Sequence, residues 1–284
     1  MSILTTVLLQ VVVVVTVLCI GGAAMLVRGG RLELLRRDGR ARVHEVAPAF
    51  VALGAALAVN AVVRDHVPKV AWLVGVNITG YIHAIEGGFV PWLQTFATPA
   101  ATAYFSATYV FGYTFVLVFP LLAYLLHPDP RHLRELAVAY GLNYVIGLVC
   151  YAVFVAYGPR NLLADQVEPL LYSTYPQYME LVAQVNTNTN VFPSLHTSLS
   201  LTVAAFAVRT RDTYPAWAVV APVLAGSIVV ATMYLGIHWA TDVVAGALLA
   251  ALCVTLARRG VPAAVVAHVR SAGRRRVGGP GRWL

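Results

Sequence analysis

Seven long stretches of this chain carry almost no charge, at roughly 3–27, 47–63, 101–126, 134–157, 194–208, 214–235 and 239–257. A bilayer core takes about 20 apolar residues to cross as a helix. Lipid offers the backbone no hydrogen-bond partners, so a crossing segment must satisfy its own amides and carbonyls. The runs therefore predict an all-α integral membrane protein with about seven transmembrane helices. Composition agrees: 11% of residues are charged and 59% hydrophobic, with a mean hydropathy of +0.74, whereas soluble domains carry about 25% charged residues. The first run lacks a basic leader, is too long for a signal peptide, and has its arginines after it, so it reads as an anchor helix. Cys19 follows Leu18, which does not suit a lipoprotein cleavage site.

The net charge of +8 is explained by where the cations fall. Arg28, Arg31, Arg36, Arg37, Arg40 and Arg42 lie between the first two runs, Arg131 and Arg134 between the third and fourth, and Arg209 and Arg211 between the fifth and sixth. Seven more, from Arg258 to Arg282, follow the last run. Only Arg64, Lys69 and Arg160 belong to the opposite side. The positive-inside rule then places the N-terminus outside and the C-terminus in the cytoplasm. The basic balance is thus a topology signal, aided by anionic headgroups, and nucleic acid is not expected as a partner. The division that follows is a first helix and basic loop at 1–46, a membrane catalytic domain at 47–258, and a basic cytoplasmic tail at 259–284.

Two connections stand out on the outer side. Segment 64–100 is apolar from Val70 to Ile85 but broken by Gly75, Asn77, Thr79 and Gly80. An eighth crossing there would put the two arginine-rich regions on opposite faces. Short interfacial or re-entrant helices are expected instead, with Trp72, Tyr81 and Trp92 near headgroup level. Segment 161–192 carries Tyr172, Tyr175 and Tyr178, an amphipathic turn over 177–184, and an Asn/Thr run that is turn chemistry. It reads as a cap over the outer mouth. Cys19, Cys150 and Cys253 lie in apolar runs, with spacing that suits neither zinc nor a disulfide framework.

Three polar clusters fall at outer helix ends: Gly158-Pro159-Arg160, Pro193-Ser194-Leu195-His196, and His238 with Asp242. Pro193 suits a first helical position. The amides of Ser194, Leu195 and His196 would then point outward at the positive end of a helix dipole, a ready anion site. The Ser194 hydroxyl adds a donor, and Arg160 offers a planar fork that matches phosphate oxygens. His238 and Asp242 are i,i+4 on one helix face. The carboxylate can fix the imidazole tautomer and leave the other nitrogen as a nucleophile, with His196 as an acid for the leaving oxygen. Taken singly, the histidines read as interfacial side chains, Asp242 as a cap and Arg160 as an anchor. Together they make up a phosphoryl-transfer site that needs neither metal nor cofactor; no third histidine or carboxylate pair accompanies them. Acids within membrane segments are rare and usually functional, and Asp242 is the only acid after Asp212.

Arg160, Pro193-Ser194-Leu195-His196 and His238-x3-Asp242 resemble the three signature motifs of the type 2 phosphatidic acid phosphatase superfamily, over roughly residues 100–258. The resemblance implies a six-helix core, to which the first helix is an addition. It also implies a phosphohistidine at His238, His196 as general acid and base, Asp242 as orienter, and Arg160, Ser194 and Leu195 around the phosphate. A lipid phosphate or phospholipid is the implied substrate.

Departures from the motifs point within that superfamily. Val153 stands where the first motif has lysine, Asn161 where proline follows the arginine, and Leu195 where glycine precedes the histidine. Ala231 and Thr232 stand where the phosphatases have serine and arginine. Two phosphate-holding cations are missing, a pattern that resembles the inositol phosphorylceramide synthase-like branch. A phosphodiester carries less charge than a monoester and needs fewer cations; Arg64 and Lys69 are the other candidates to fill the gap. A lipid phosphate or polyprenyl pyrophosphate phosphatase is the alternative. A transporter would place ionisable groups at mid-membrane, and the runs 101–126, 134–157 and 214–235 place none there. A vanadate-dependent oxidase would hold its anion poorly with two cations gone, and a non-catalytic relative would be indifferent to loss of His238. The use of arginine over lysine, with much alanine and valine, suggests a GC-rich prokaryotic genome, hence an outer face at the cell exterior or periplasm.

Overall fold

A computed structural model describes residues 2–26, 31–63, 66–183 and 191–260. The run of Asn186 to Asn190, Arg64, and the basic tail beyond Gly260 lie outside the described residues. In chain order the helices are α1 (Ile3–Leu26), α2 (Arg31–Val63), α3 (Val67–Val74), α4 (Thr79–Glu86), α5 (Phe89–Gln94), α6 (Pro99–Ala107), α7 (Tyr113–Leu125) and α8 (Arg131–Val153). They continue as α9 (Pro159–Leu162), α10 (Leu170–Thr174), α11 (Gln177–Ala183), α12 (Leu195–Arg209), α13 (Trp217–Tyr234) and α14 (Ala240–Arg258). A wide π-turn at Thr108–Gly112 joins α6 to α7 as one span. Two-residue strands, β1 (Val76–Asn77) and β2 (Phe154–Val155), pair in parallel.

Among the described residues, six helices are long and apolar enough to cross a bilayer: Ile3–Ala24, Arg36–Val63, Pro99–Leu125, Arg131–Val153, Trp217–Tyr234 and Ala240–Arg258. The all-α membrane fold expected from the apolar runs is present. The fifth run forms α12, whose 15 residues rise only about 22 Å at 1.5 Å each. It packs against α7, α8, α13 and α14. Protein rather than lipid surrounds it, which explains how a short helix with buried Ser198, Ser200 and Thr202 is tolerated. Inside the bundle, Asn143 of α8 donates to Thr202 Oγ1 at 3.2 Å and accepts from Ser198, an interhelical polar contact of the kind that holds membrane helices together.

The basic stretch after the first run is not the expected loop from Arg31 onward: it is the first part of α2, because Arg, Leu and Glu are good helix formers. Arg42, buried, donates to the carbonyls of His127 at 2.6 Å and Pro128 at 2.9 Å. Arg134 meets Glu45 at 3.6 Å, and Arg209 meets Glu135 at 2.9 Å. The start of α2, the α7–α8 connection and the end of α12 are thereby gathered at one end of the bundle, and the three polar motifs lie at the other.

Among the described residues, 66–98 contain no helix long enough to span. The segment folds into α3, α4 and α5, three short helices with Trp72, Leu73, Tyr81, Ile85 and Trp92 exposed. Its β1 pairs with β2 at the end of α8, and Gly75 is required there: a Cβ would stand 2.8 Å from the Val153 carbonyl oxygen and 2.5 Å from that of Ala71. The α8 crossing therefore ends earlier than its apolar run, with Phe154 and Val155 extended. The amphipathic turn expected at 177–184 is α11.

Candidate functional site

After α13 the chain turns back on itself. The amides of Ile237 and His238 both donate to the Thr232 carbonyl at 3.0 Å, and Gly236 takes a φ of +71° that few other residues adopt. The turn delivers His238 to the start of α14. Its Nδ1 lies 3.3 Å from Asp242 Oδ2, and the same oxygen accepts the Trp239 amide at 2.9 Å. Asp242 thus caps its own helix and orients His238 with one atom. Its other oxygen, Oδ1, is buried without a partner among the described residues. Both side chains are buried, Asp242 completely. His238 precedes the span; burial first, and the Arg160 guanidinium second, lower its pKa from the ordinary histidine value to about 3. The ring is therefore neutral at physiological pH. Nδ1 faces Asp242, and the ring also hydrogen-bonds the Val191 backbone, which opposes the lowering.

The Arg160 turn is built against this loop. The Arg160 amide donates to the Gly236 carbonyl at 3.1 Å, and a Cβ on Gly158 would stand 2.5 Å from the Ile237 carbonyl oxygen. Arg160 lies on the short α9, after the crossing rather than at its end. Its guanidinium sits 4.7 Å from the Tyr172 ring centroid in the 161–192 segment, and its Nη1 is buried with no partner among the described residues. A buried guanidinium nitrogen with no acceptor is costly unless an anion completes it.

The α12 start differs in detail from the sequence expectation. Pro193 is not the first helical residue: Ser194 is the N-cap and Leu195 begins the helix. The reason is that Ser194 Oγ accepts the Thr197 amide at 3.3 Å, the role for which serine is preferred at that position. The three amides expected to be open are not equivalent. That of Ser194 donates to the Asp242 carbonyl at 3.0 Å. That of Leu195 is hydrogen-bonded to the Tyr151 hydroxyl, which also reaches the Pro193 carbonyl at 3.2 Å. The His196 amide has no acceptor among the described residues. The Leu195 side chain fills the notch left by Gly147 on α8, where an added Cβ would lie 2.8 Å from Leu195 Cδ2. The His196 ring is held between Tyr109 and Tyr113, at centroid distances of 4.7 and 4.4 Å, and lies 5.9 Å from the His238 ring. Tyr109 and Tyr113 are four residues apart and so lie on one side of their span.

Arg160, Ser194, His196 and Asp242 thus meet around His238; of the two candidate extra cations, Arg64 lies outside the described residues. Lys69 is exposed on α3, and Arg160 is the cation whose field reaches His238. Val153 is exposed, and Thr232 is buried with its hydroxyl on the Val229 carbonyl. Sequence reasoning missed Glu86. From the end of α4 it accepts the amides of Ala240, at 2.9 Å, and Thr241. The signal was there: an acid in an apolar stretch, Tyr81 to Val90, is as unusual as Asp242 is in its own helix.

A membrane-embedded helical bundle with a histidine–carboxylate pair, a second histidine and an unsatisfied arginine at one end has the makings of a phosphate-handling site. A family model described as the PAP2 superfamily matches residues 82–256, and the chain belongs to that superfamily. It is a membrane enzyme of phosphatase or phosphotransferase type, in a family that acts on lipid phosphates. No curated protein and no solved structure matches the chain.

Proposed function

We propose that the protein transfers a phospho-headgroup between lipids through a phosphohistidine at His238, as inositol phosphorylceramide synthase-like members of the superfamily do. His238 Nε2 attacks the phosphorus of a phosphodiester donor, forming a P–N bond as the P–O bond to the departing lipid alcohol breaks. His196 takes up a proton as the anionic substrate binds beside it and gives that proton to the departing oxygen. The neutral His196 then takes a proton from the acceptor hydroxyl, whose oxygen attacks phosphorus as the P–N bond breaks, restoring both histidines. Asp242 holds the His238 tautomer and stabilises its positive charge in the intermediate. Arg160, the Ser194 hydroxyl and the His196 amide hold the phosphate oxygens, and Leu195, its amide engaged by Tyr151, fixes the helix start beside them.

The observation that carries the transferase reading is the pair of neutral positions, Val153 and Thr232, where phosphatases have cations. One guanidinium beside His238 suits a monoanion. The arginine-rich end is read as cytoplasmic, which puts this site on the outer face, in a prokaryotic membrane. Water as acceptor would make the same residues a lipid phosphate or polyprenyl pyrophosphate phosphatase. The test is the purified protein in vesicles, offered phosphatidate or a phosphodiester donor, with and without a lipid alcohol. Acceptor-dependent headgroup transfer is expected, with a base-stable, acid-labile phosphoprotein that His238→Ala abolishes. Rapid phosphate release from phosphatidate with no acceptor would overturn the transferase reading in favour of the phosphatase.

A further inference from the structure

Glu86 takes no part in the chemistry above, yet it grips the frame of the site at two points. Its Oε2 accepts the Ala240 amide at 2.9 Å and its Oε1 accepts the Thr241 amide. Since Asp242 Oδ2 takes the Trp239 amide at 2.9 Å, the three N–H groups that open α14 all end on carboxylates. The start of α12 is built the other way. Its cap is a neutral serine hydroxyl, and the His196 amide is left without a protein acceptor among the described residues. Two helix N-termini thus converge on His238: one is already neutralised by protein carboxylates, and the other is available to an incoming anion. One turn before Glu86, His83 lies against the Trp239 ring at 5.9 Å, so α4 docks on the turn between His238 and Asp242.

We propose that Glu86 is a positioning and specificity-determining residue: it fastens the turn between His238 and Asp242 to α4, and its charge sets the site to accept monoanionic phosphodiesters over dianionic phosphomonoesters. The inference rests on reading this end of the bundle as a phosphate site. Asp242 and the Arg160 guanidinium act on His238 directly, Glu86 stands one step further out on the Ala240 and Thr241 amides, and Val153 and Thr232 supply no cation to offset a second substrate charge. At an effective dielectric near 20, a carboxylate about 12 Å from the phosphate position penalises each added negative charge by about tenfold in binding. The two hydrogen bonds also give Glu86 a mechanical role, because Ala240 and Thr241 are the residues that carry the His238–Asp242 spacing.

Two variants of the full chain in vesicles separate these roles. Glu86→Gln keeps an acceptor oxygen and the shape of the side chain but removes the charge; Glu86→Ala removes both. Turnover is measured on a phosphodiester lipid and on a phosphomonoester lipid of the same acyl chains. Thermal stabilisation is measured with inorganic phosphate, a dianion at pH 8, and with dimethyl phosphate, a monoanion. For Glu86→Gln the monoester-to-diester ratio of kcat/KM should rise about tenfold, with inorganic phosphate stabilising the variant more than the parent protein and dimethyl phosphate acting equally on both. Glu86→Ala should lower kcat on both lipids and lower Tm. A Glu86→Gln protein whose ratio and anion responses stay within twofold of the parent would overturn the charge role, and parallel loss on both lipids would reduce Glu86 to a helix cap. If the parent turns over neither lipid, the proposed reaction fails, while the two anions still decide the role of Glu86: an unchanged difference between them overturns it.

Discussion

The main-chain amide of Ser194 donates to the main-chain carbonyl of Asp242 at 3.0 Å. This one bond fastens the helix that carries His196 to the helix that carries the His238–Asp242 pair, at the point where the chemistry must be aligned. One turn further along α14, Gly246 permits the contact: a Cβ there would stand 2.5 Å from the Ser194 carbonyl oxygen.

Gly246→Ala should therefore push α12 and α14 apart. Overpacking of this kind costs about 1–3 kcal/mol, and the clash is with backbone rather than a yielding side chain. Activity should fall by more than the loss of folded protein explains. Thermal unfolding in detergent beside specific activity checks this; an unchanged Tm with full activity would show that the helices are not held at this spacing.

Asp242→Asn should leave the fold largely intact and lower turnover by about 10³-fold or more, since an amide can present its N–H to Nδ1 and favour the wrong tautomer. His238→Ala should remove both turnover and the trapped phosphoprotein. Steady-state rates and acid-labile phosphate on the protein are the readouts. Phosphoprotein surviving in His238→Ala would place the nucleophile elsewhere.

Arg160→Ala should raise KM and move the acid limb of the rate profile. Burial and the Arg160 charge together lower the His238 pKa to about 3. A protonated ring has no lone pair to attack with, so activity is lost as pH falls through that pKa. Removing the guanidinium raises the pKa, and the loss should then begin at higher pH. Arg160→Lys should keep the position of the limb but not the full affinity, because an ammonium lacks the planar fork. A profile that does not move in Arg160→Ala would show that the guanidinium does not act on His238.

Leu195 and Gly147 should behave as a coupled pair. Leu195→Ala empties the notch at Gly147 and should cost about 2–3 kcal/mol. Gly147→Ala crowds Leu195 in the parent protein, where Cδ2 would lie 2.8 Å from the new Cβ, and should be much better tolerated once Leu195 is alanine. A double-mutant cycle in Tm measures the coupling; additive effects would mean the two side chains do not share the space.

Much of this protein is legible in the order of its residues. The apolar runs locate all seven helices of the bundle, and the succession Arg160, Ser194-Leu195-His196, His238, Asp242 marks the site. These features are local: a run's length against bilayer thickness, or a histidine four residues before an acid, is written directly in the chain. That His238 stands before α14, which begins at Ala240, and so does not share a helix face with Asp242 as expected, is not. The boundaries are less legible. The basic stretch before the second run continues as helix from Arg31, and α8 stops at Val153 because Phe154 and Val155 pair with β1, a partner from a distant segment.

Hydropathy and motif spacing need no knowledge of neighbours, so the solvent, the helices and the candidate reacting groups can be read from the amino-acid sequence alone. Which polar groups are already engaged is a matter of packing, and the fold settles it. The Ser194 amide and hydroxyl look alike available in the sequence, yet the amide is given to the Asp242 carbonyl, while the hydroxyl accepts from Thr197 and keeps its own proton to donate. Glu86 looks remote from Ala240 and Thr241, yet it holds both their amides. A hydrogen bond depends on distance and angle between atoms that the fold, and not the order of residues, brings together.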